Sequence, residues 1–154
     1  MIFWMTGQPG HGKTTLSNLL KAKLDLVNKP AGKMTVQVDG DDLRKLTINK
    51  DYSEQGRINN IRNAQMIAEF NHNKGMDVIV SLVSPYRWLR EEFKERMGHF
   101  IIEYYITCDE PRERDHFHVD NYEIPLKNFH LIDTTIKSPE DSLDEITNLL
   151  GEYY

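Results

Sequence analysis

Residues 7–15 read Gly7-Gln8-Pro9-Gly10-His11-Gly12-Lys13-Thr14-Thr15, and an apolar run, Ile2–Thr6, stops where they begin. The spacing is G-x-x-x-x-G-K-T. Glycines at such a turn let consecutive backbone N–H groups point inward, and a helix starting near Lys13 adds its positive end. In a loop of this type the lysine reaches the β- and γ-phosphates and the Thr14 hydroxyl serves Mg²⁺. A strand before the loop and leucines at helical spacing after it (Leu16, Leu19, Leu20, Leu24) supply the context the motif needs. Gly7 to Thr15 are therefore expected to bind ATP, with His11 as a tolerated spacer inside the loop.

Working outward, short apolar runs alternate with helical patterns. Strands are expected at Ile2–Thr6, Met34–Val38, Met76–Leu82, Phe100–Thr107 and Phe129–Ile132. Helices are expected over Lys13–Leu26, over a long stretch from the N-cap Ser53 to Lys74, over Arg87–Met97 and over Pro139–Leu150. The long helix would bury Ile58, Ile61, Ala64, Ile67, Ala68 and Phe70. This alternation predicts an α/β chain with the P-loop NTPase fold, a five-stranded parallel sheet covered by helices on both faces. Residues 1–154 read as a single domain. In such sheets ligands sit beyond the carboxyl ends of the strands, and the motifs of this chain fall at such ends.

The bulk properties narrow the chemistry. A formal charge of −5 and a pI near 5.7 argue against a nucleic-acid or anionic-membrane surface. Phosphate binding must then be local, and a kinase acting on nucleic-acid ends is disfavoured. Cys108 is the single cysteine and fits a buried hydrophobe in a reducing compartment. With no span of roughly 20 apolar residues and no signal-like start, a cytoplasmic protein is expected.

The stretch QVDGDDLR sets Asp39, Asp41 and Asp42 where the second strand meets its turn. Three carboxylates together repel one another; beside a phosphate loop, one can hold the Mg²⁺ shell and another can accept the proton of an attacking hydroxyl. Asp42 serves equally as the N-terminal residue of a short helix containing Leu43 and Leu46. Arg57 and Asn60, three apart, share a face of the long helix, whereas Arg62 faces elsewhere and suits a surface ion pair. Tyr52 offers a stacking platform or a loop anchor. Arg87, after Ser84-Pro85-Tyr86, suits phosphate binding or helix packing alike. Asn49-Lys50-Asp51 is one residue short of the guanine-specifying N-K-x-D and lies too early in the chain, so a GTPase switch does not fit.

The glycine loop, DGDDLR, GRINNIR and SLVSPYR together make the chain resemble the adenylylsulfate kinase family, nearly without gaps over residues 1 to about 90. The resemblance implies transfer of the ATP γ-phosphate, with Mg²⁺, to the ribose 3′-hydroxyl of a nucleotide such as adenylylsulfate. It implies Lys13, Asp39 and Asp41 as catalytic residues and Thr14 and Asp39 on the metal side. Arg44, Tyr52, Arg57, Asn60 and Ser84, with Asp41, would hold the acceptor. It also implies ATP and a small nucleotide as partners, and admits a homodimer.

The chain departs from that pattern after the fourth strand. The family's long lid, with its basic helix and F-T-G-x-x-x-P-Y-E segment, is replaced by a short interval of about 109–128. Arg112 and Arg114 remain as candidates to neutralise transferred charge or flank the ATP adenine, and Asn121-Tyr122-Glu123-Ile124-Pro125 is at best an echo of the F-T-G segment. His116-x-His118 reads as a solvated loop, not a metal site. A shorter lid alters specificity more than basic chemistry. The alternatives are thus the same transfer to another nucleotide, as in a cytidine diphosphoramidate kinase of capsule modification, or a non-catalytic ATP-binding regulator.

Overall fold

A computed structural model describes residues 1–110, 113–114 and 117–151. Its elements, in chain order, are β1 (Ile2–Thr6), α1 (Lys13–Asn28), β2 (Thr35–Asp39), α2 (Gly40–Leu46), α3 (Glu54–Asn73), β3 (Asp77–Ser81), α4 (Arg87–Met97), β4 (Ile101–Thr107), β5 (His130–Asp133) and α5 (Pro139–Leu150). The strands form one sheet in the order β2-β3-β1-β4-β5, and every pairing is parallel. This is the expected five-stranded parallel sheet.

Strand alternation divides the core. On β1, Ile2 and Trp4 face α3 and α4, joining Ile61, Ala64, Ala68, Leu89 and Phe93. Phe3 and Met5 face the other way, onto Leu16, Leu20, Ile146 and Leu150 of α1 and α5. A strand apolar at nearly every position is what a sheet covered on both faces requires. Among the described residues, no helix is long and apolar enough to cross a membrane.

The long helix corrects one expectation. Its buried residues include Asn60, Ile61, Ala64, Gln65 and Ala68, but Phe70 is exposed, with Lys74 Nζ 5.6 Å from its ring centroid. Two residues beyond Ala68, Phe70 is rotated by about 200° to the outer side of a helix with 3.6 residues per turn. Gln65 takes the buried place and donates from Nε2 to Leu89 O at 2.9 Å, tying α3 to α4.

The order of strands positions the site. β1 lies between β3 and β4, so the loops leaving β1, β2 and β3 emerge side by side at one edge of the molecule.

Candidate active site

The phosphate loop is shaped by two glycines. Gly7 has φ +150, and a Cβ there would meet Ile106 O of β4 at 2.2 Å. Gly12 caps α1 in the left-handed region at φ 98, with no side-chain cap and no acid in the first turn. The remaining helix starts are served. Ser53 accepts from Gly56 N on α3, Ser138 forms a capping box on α5, and Asp39 accepts from Asp41 N on α2. On α4 the first N–H, Arg87 N, donates to Glu123 Oε2 at 2.6 Å. Among the described residues, the α1 terminus alone of these is left without a side-chain acceptor, and an uncapped helix start with its dipole suits an anion.

Lys13 is 8% exposed, and its Nζ donates to Gln8 O at 2.7 Å. Burial, aided by the nearby Arg114 charge, pushes its amine down to about 7, against the pull of Asp39 and Asp41. An amine so desolvated regains its charge when an anion arrives. His11 is buried, with Nδ1 3.3 Å from Ile106 O. Its ring meets His118 edge-on at 5.1 Å, so His11 is packed and is no mere spacer.

The carboxylate turn meets the loop directly. Thr14 Oγ1 and Ser81 Oγ both donate to Asp39 Oδ2, at 2.9 and 3.0 Å. The residue read as a metal-side carboxylate is also the cap of α2, whereas Asp42 is exposed and paired with Lys45 Nζ at 2.9 Å. Of the two readings for Asp42, the structure favours the helix-terminal one, with Asp39 as the cap. Asp41 is exposed and takes Arg114 Nη2 at 3.4 Å. Such an exposed pair contributes little and can open at small cost.

Arg44, Tyr52 and Arg57, expected at the acceptor, converge. The guanidinium carbons of Arg44 and Arg57 lie 4.1 and 5.8 Å from the Tyr52 ring centroid. Arg44 also donates to Asp51 O at 2.8 Å, and Arg57 Nε donates to Tyr52 O at 3.0 Å. Partial burial lowers the Arg44 pKa, the neighbouring Arg57 adding to it. Tyr52 is 61% exposed, so it does not anchor the loop on the core. Asn60 and Ser84 are buried, and among the described residues Asn60 Oδ1 and Ser84 Oγ have no hydrogen-bond partner. Ser84 has φ 43, a strained value for a non-glycine residue. Arg112 and His116 lie outside the described residues. Among the described residues no His, Cys, Asp and Glu cluster could hold a metal by itself.

A sequence model of the adenylylsulphate kinase family matches residues 1–142. The chain belongs to the adenylylsulphate kinase family. It is 39% identical over 99 residues to an adenylyl-sulfate kinase of Picosynechococcus sp., covering 64% of this chain and 54% of that one. It is 34% identical over 108 residues to a cytidine diphosphoramidate kinase of Campylobacter jejuni, covering 70% of this chain and 61% of that one. The chain thus spans between about half and three-fifths of the length of these two relatives. In fold it is similar to the Mycobacterium tuberculosis APS kinase solved with AMPPNP and APS, with TM-score 0.79 at 20% identity, covering 97% and 96% of the two chains.

The end of the short interval after β4 is tied to β1 and to the turn after β3. Tyr122 OH lies 2.7 Å from Thr6 Oγ1, and its ring stacks on Tyr105 at 5.7 Å. Burial pushes the Tyr122 phenol up, beyond reach of titration near neutral pH. Glu123 N donates to Pro85 O at 2.9 Å, and Arg87 Nε donates to Ile124 O at 2.8 Å. Arg87 therefore serves helix packing against this segment. Arg62 makes the expected ion pair, donating to Glu92 Oε2 at 3.0 Å.

Sequence reasoning missed the organiser behind these contacts. Arg90 is 2% exposed; its Nε donates to Glu103 Oε1 at 2.8 Å, and its other nitrogens donate to Ser84 O and Glu123 O. Its only signal was a charge on the apolar face of a helix, four residues after Tyr86. Ser81, which shares Asp39 with Thr14, gave no signal beyond its place at a strand end.

Proposed function

We propose that the chain is an ATP-dependent kinase that transfers the γ-phosphate of ATP to the ribose 3′-hydroxyl of a nucleotide such as adenylylsulfate. The observation that carries the reading is one hydrogen-bonded chain at the carboxyl end of the sheet. Asp39 links Thr14 of the phosphate loop to Ser81 of β3, and its turn sets Asp41 in reach of Arg114. A donor loop and a proton acceptor thus meet at one place.

In this reading the loop N–H groups and the start of α1 hold the β- and γ-phosphates, and Lys13 leaves Gln8 O for them. Asp41 takes the proton from the acceptor hydroxyl as its oxygen attacks the γ-phosphorus. The bond to the β–γ bridging oxygen breaks and ADP leaves. Arg114, released from Asp41, neutralises charge on the transferred group. Asn60 Oδ1 and Ser84 Oγ, buried and unpartnered among the described residues, supply acceptors and donors for the nucleotide. Arg44, Arg57 and Tyr52 bind its anionic groups and base. Mg²⁺ fits the hard oxygens of Thr14 and, through water, Asp39. When bound, it would offset negative charge on the triphosphate during the transfer.

A cytidine nucleotide as acceptor is the second reading. It is favoured by the short interval between β4 and β5 and by the Campylobacter relative, named a cytidine diphosphoramidate kinase. The test is to incubate the protein with MgATP and each nucleotide and to map the product by phosphorus–proton NMR. A phosphate on the ribose 3′-oxygen is expected. Phosphate on a terminal phosphate or at another hydroxyl contradicts the proposal.

A further inference from the structure

We propose that the Gln8 side chain is a positioning residue that aligns the segment 117–123, and through it the acceptor element, with the phosphate loop. The inference rests on the kinase reading above. Gln8 sits in the phosphate-binding loop, yet its carboxamide serves a different partner. Nε2 donates to Val119 O at 2.8 Å, and Oε1 accepts from Val119 N at 2.8 Å. The amide thereby stands in for a neighbouring strand residue and satisfies both backbone groups of Val119.

The contacts on either side run in opposite directions along the two segments. Thr6 Oγ1 meets Tyr122 OH at 2.7 Å, and Pro9 O lies 3.1 Å from His118 Nε2. The loop residues 6, 8 and 9 thus meet 122, 119 and 118 in antiparallel order. In this set of contacts, Gln8 supplies the side chain that grips both backbone groups of one residue in the segment. The same residue's carbonyl accepts from Lys13 Nζ at 2.7 Å, so the latch and the phosphate-reaching amine share one residue.

The other end of the segment is tied to the acceptor element. Glu123 N donates to Pro85 O at 2.9 Å, Glu123 Oε2 accepts from Arg87 N at 2.6 Å, and Arg90 joins the carbonyls of Glu123 and Ser84. A change at Gln8 leaves the loop's backbone N–H groups in place but frees the donor end of this bridge. The consequence falls on alignment of acceptor with donor, which is read in kcat, and not on capture of ATP.

The test compares wild type with Gln8→Leu, which removes both bonds, and Gln8→Glu, which keeps the acceptor for Val119 N. Amide hydrogen exchange is followed across 117–123 with and without ATP, with 77–81 of β3 as an internal control for folding. Gln8→Leu is expected to speed exchange in 117–123 by about tenfold or more, as two hydrogen bonds are lost, and to leave β3 unchanged. With an accepted nucleotide, kcat should fall about tenfold while the KM for ATP stays within about threefold, and Gln8→Glu should fall between. Unchanged exchange in 117–123 overturns the latch, whatever the activity. Faster exchange with unchanged kcat, or a raised KM for ATP at constant kcat, overturns the alignment role. If wild type phosphorylates no acceptor, the kinase reading fails on its own, while the exchange data still decide the latch.

Discussion

Two residues carry most of the proposed chemistry, and each makes its own prediction. Asp41 stands at the loop mouth with an exposed arginine as partner. Asp41→Ala should lower kcat by about 10²–10⁴, the usual contribution of a general base, while the dissociation constant for ATP, read by calorimetry, changes less than about threefold. Lys13 titrates near 7 in the folded protein and near 10.4 when unfolded. Between those values the unfolded chain holds more protons, so this group makes the ligand-free protein more stable as pH rises from about 7 toward 10. Bound triphosphate restores the charge. ATP binding near pH 8 should therefore take up a proton, seen as a dependence of binding enthalpy on buffer ionisation enthalpy. Lys13→Met should abolish both the uptake and the stability slope.

At the level of elements, most boundaries were open to sequence reasoning because local signals set them. Ser53 and Ser138 cap the helices that follow them, Gly12 begins α1, and uniformly apolar runs mark strands buried on both faces. Phe70 escapes the pattern because hydrophobicity by itself ignores the angle of a residue on the helix. Arg90, Glu103 and Glu123 were invisible for another reason: they meet across 13 and 33 residues, with no local pattern to announce it. Of the site, the phosphate loop and Asp39 were legible from spacing, whereas the attachment of Tyr122 to Thr6 over 116 residues was not. Arg90→Met should cost about 3–5 kcal/mol, since among the described residues Glu103 keeps only Lys94 Nζ, at 2.5 Å, and the carbonyls of Ser84 and Glu123 lose their buried donor. That corresponds to a fall in Tm of about 6–20 °C at this chain length. The double change with Glu103→Gln should recover part of it. Gly7→Ala should abolish ATP binding and destabilise the fold, because the Cβ meets the carbonyl of Ile106, which is fixed in β4.

For the whole molecule, the order β2-β3-β1-β4-β5 brings the phosphate loop, the carboxylate turn and Ser84 to one edge, although they lie far apart in the chain. The short interval after β4 is held there by Gln8, Thr6, Pro85 and Arg90. The fold thus brings the phosphate loop and the residues proposed to hold the acceptor to the same end of the sheet. The central claim is that the two halves act as one kinase. It is tested most directly by ADP release from MgATP, measured without acceptor and with adenylylsulfate or cytidine diphosphate derivatives, for wild type and Asp41→Ala. The account predicts that one of these nucleotides stimulates release by wild type and that Asp41→Ala loses the stimulation while still binding ATP. Tight ATP binding with no stimulation by any acceptor, or stimulation that survives in Asp41→Ala, would contradict it.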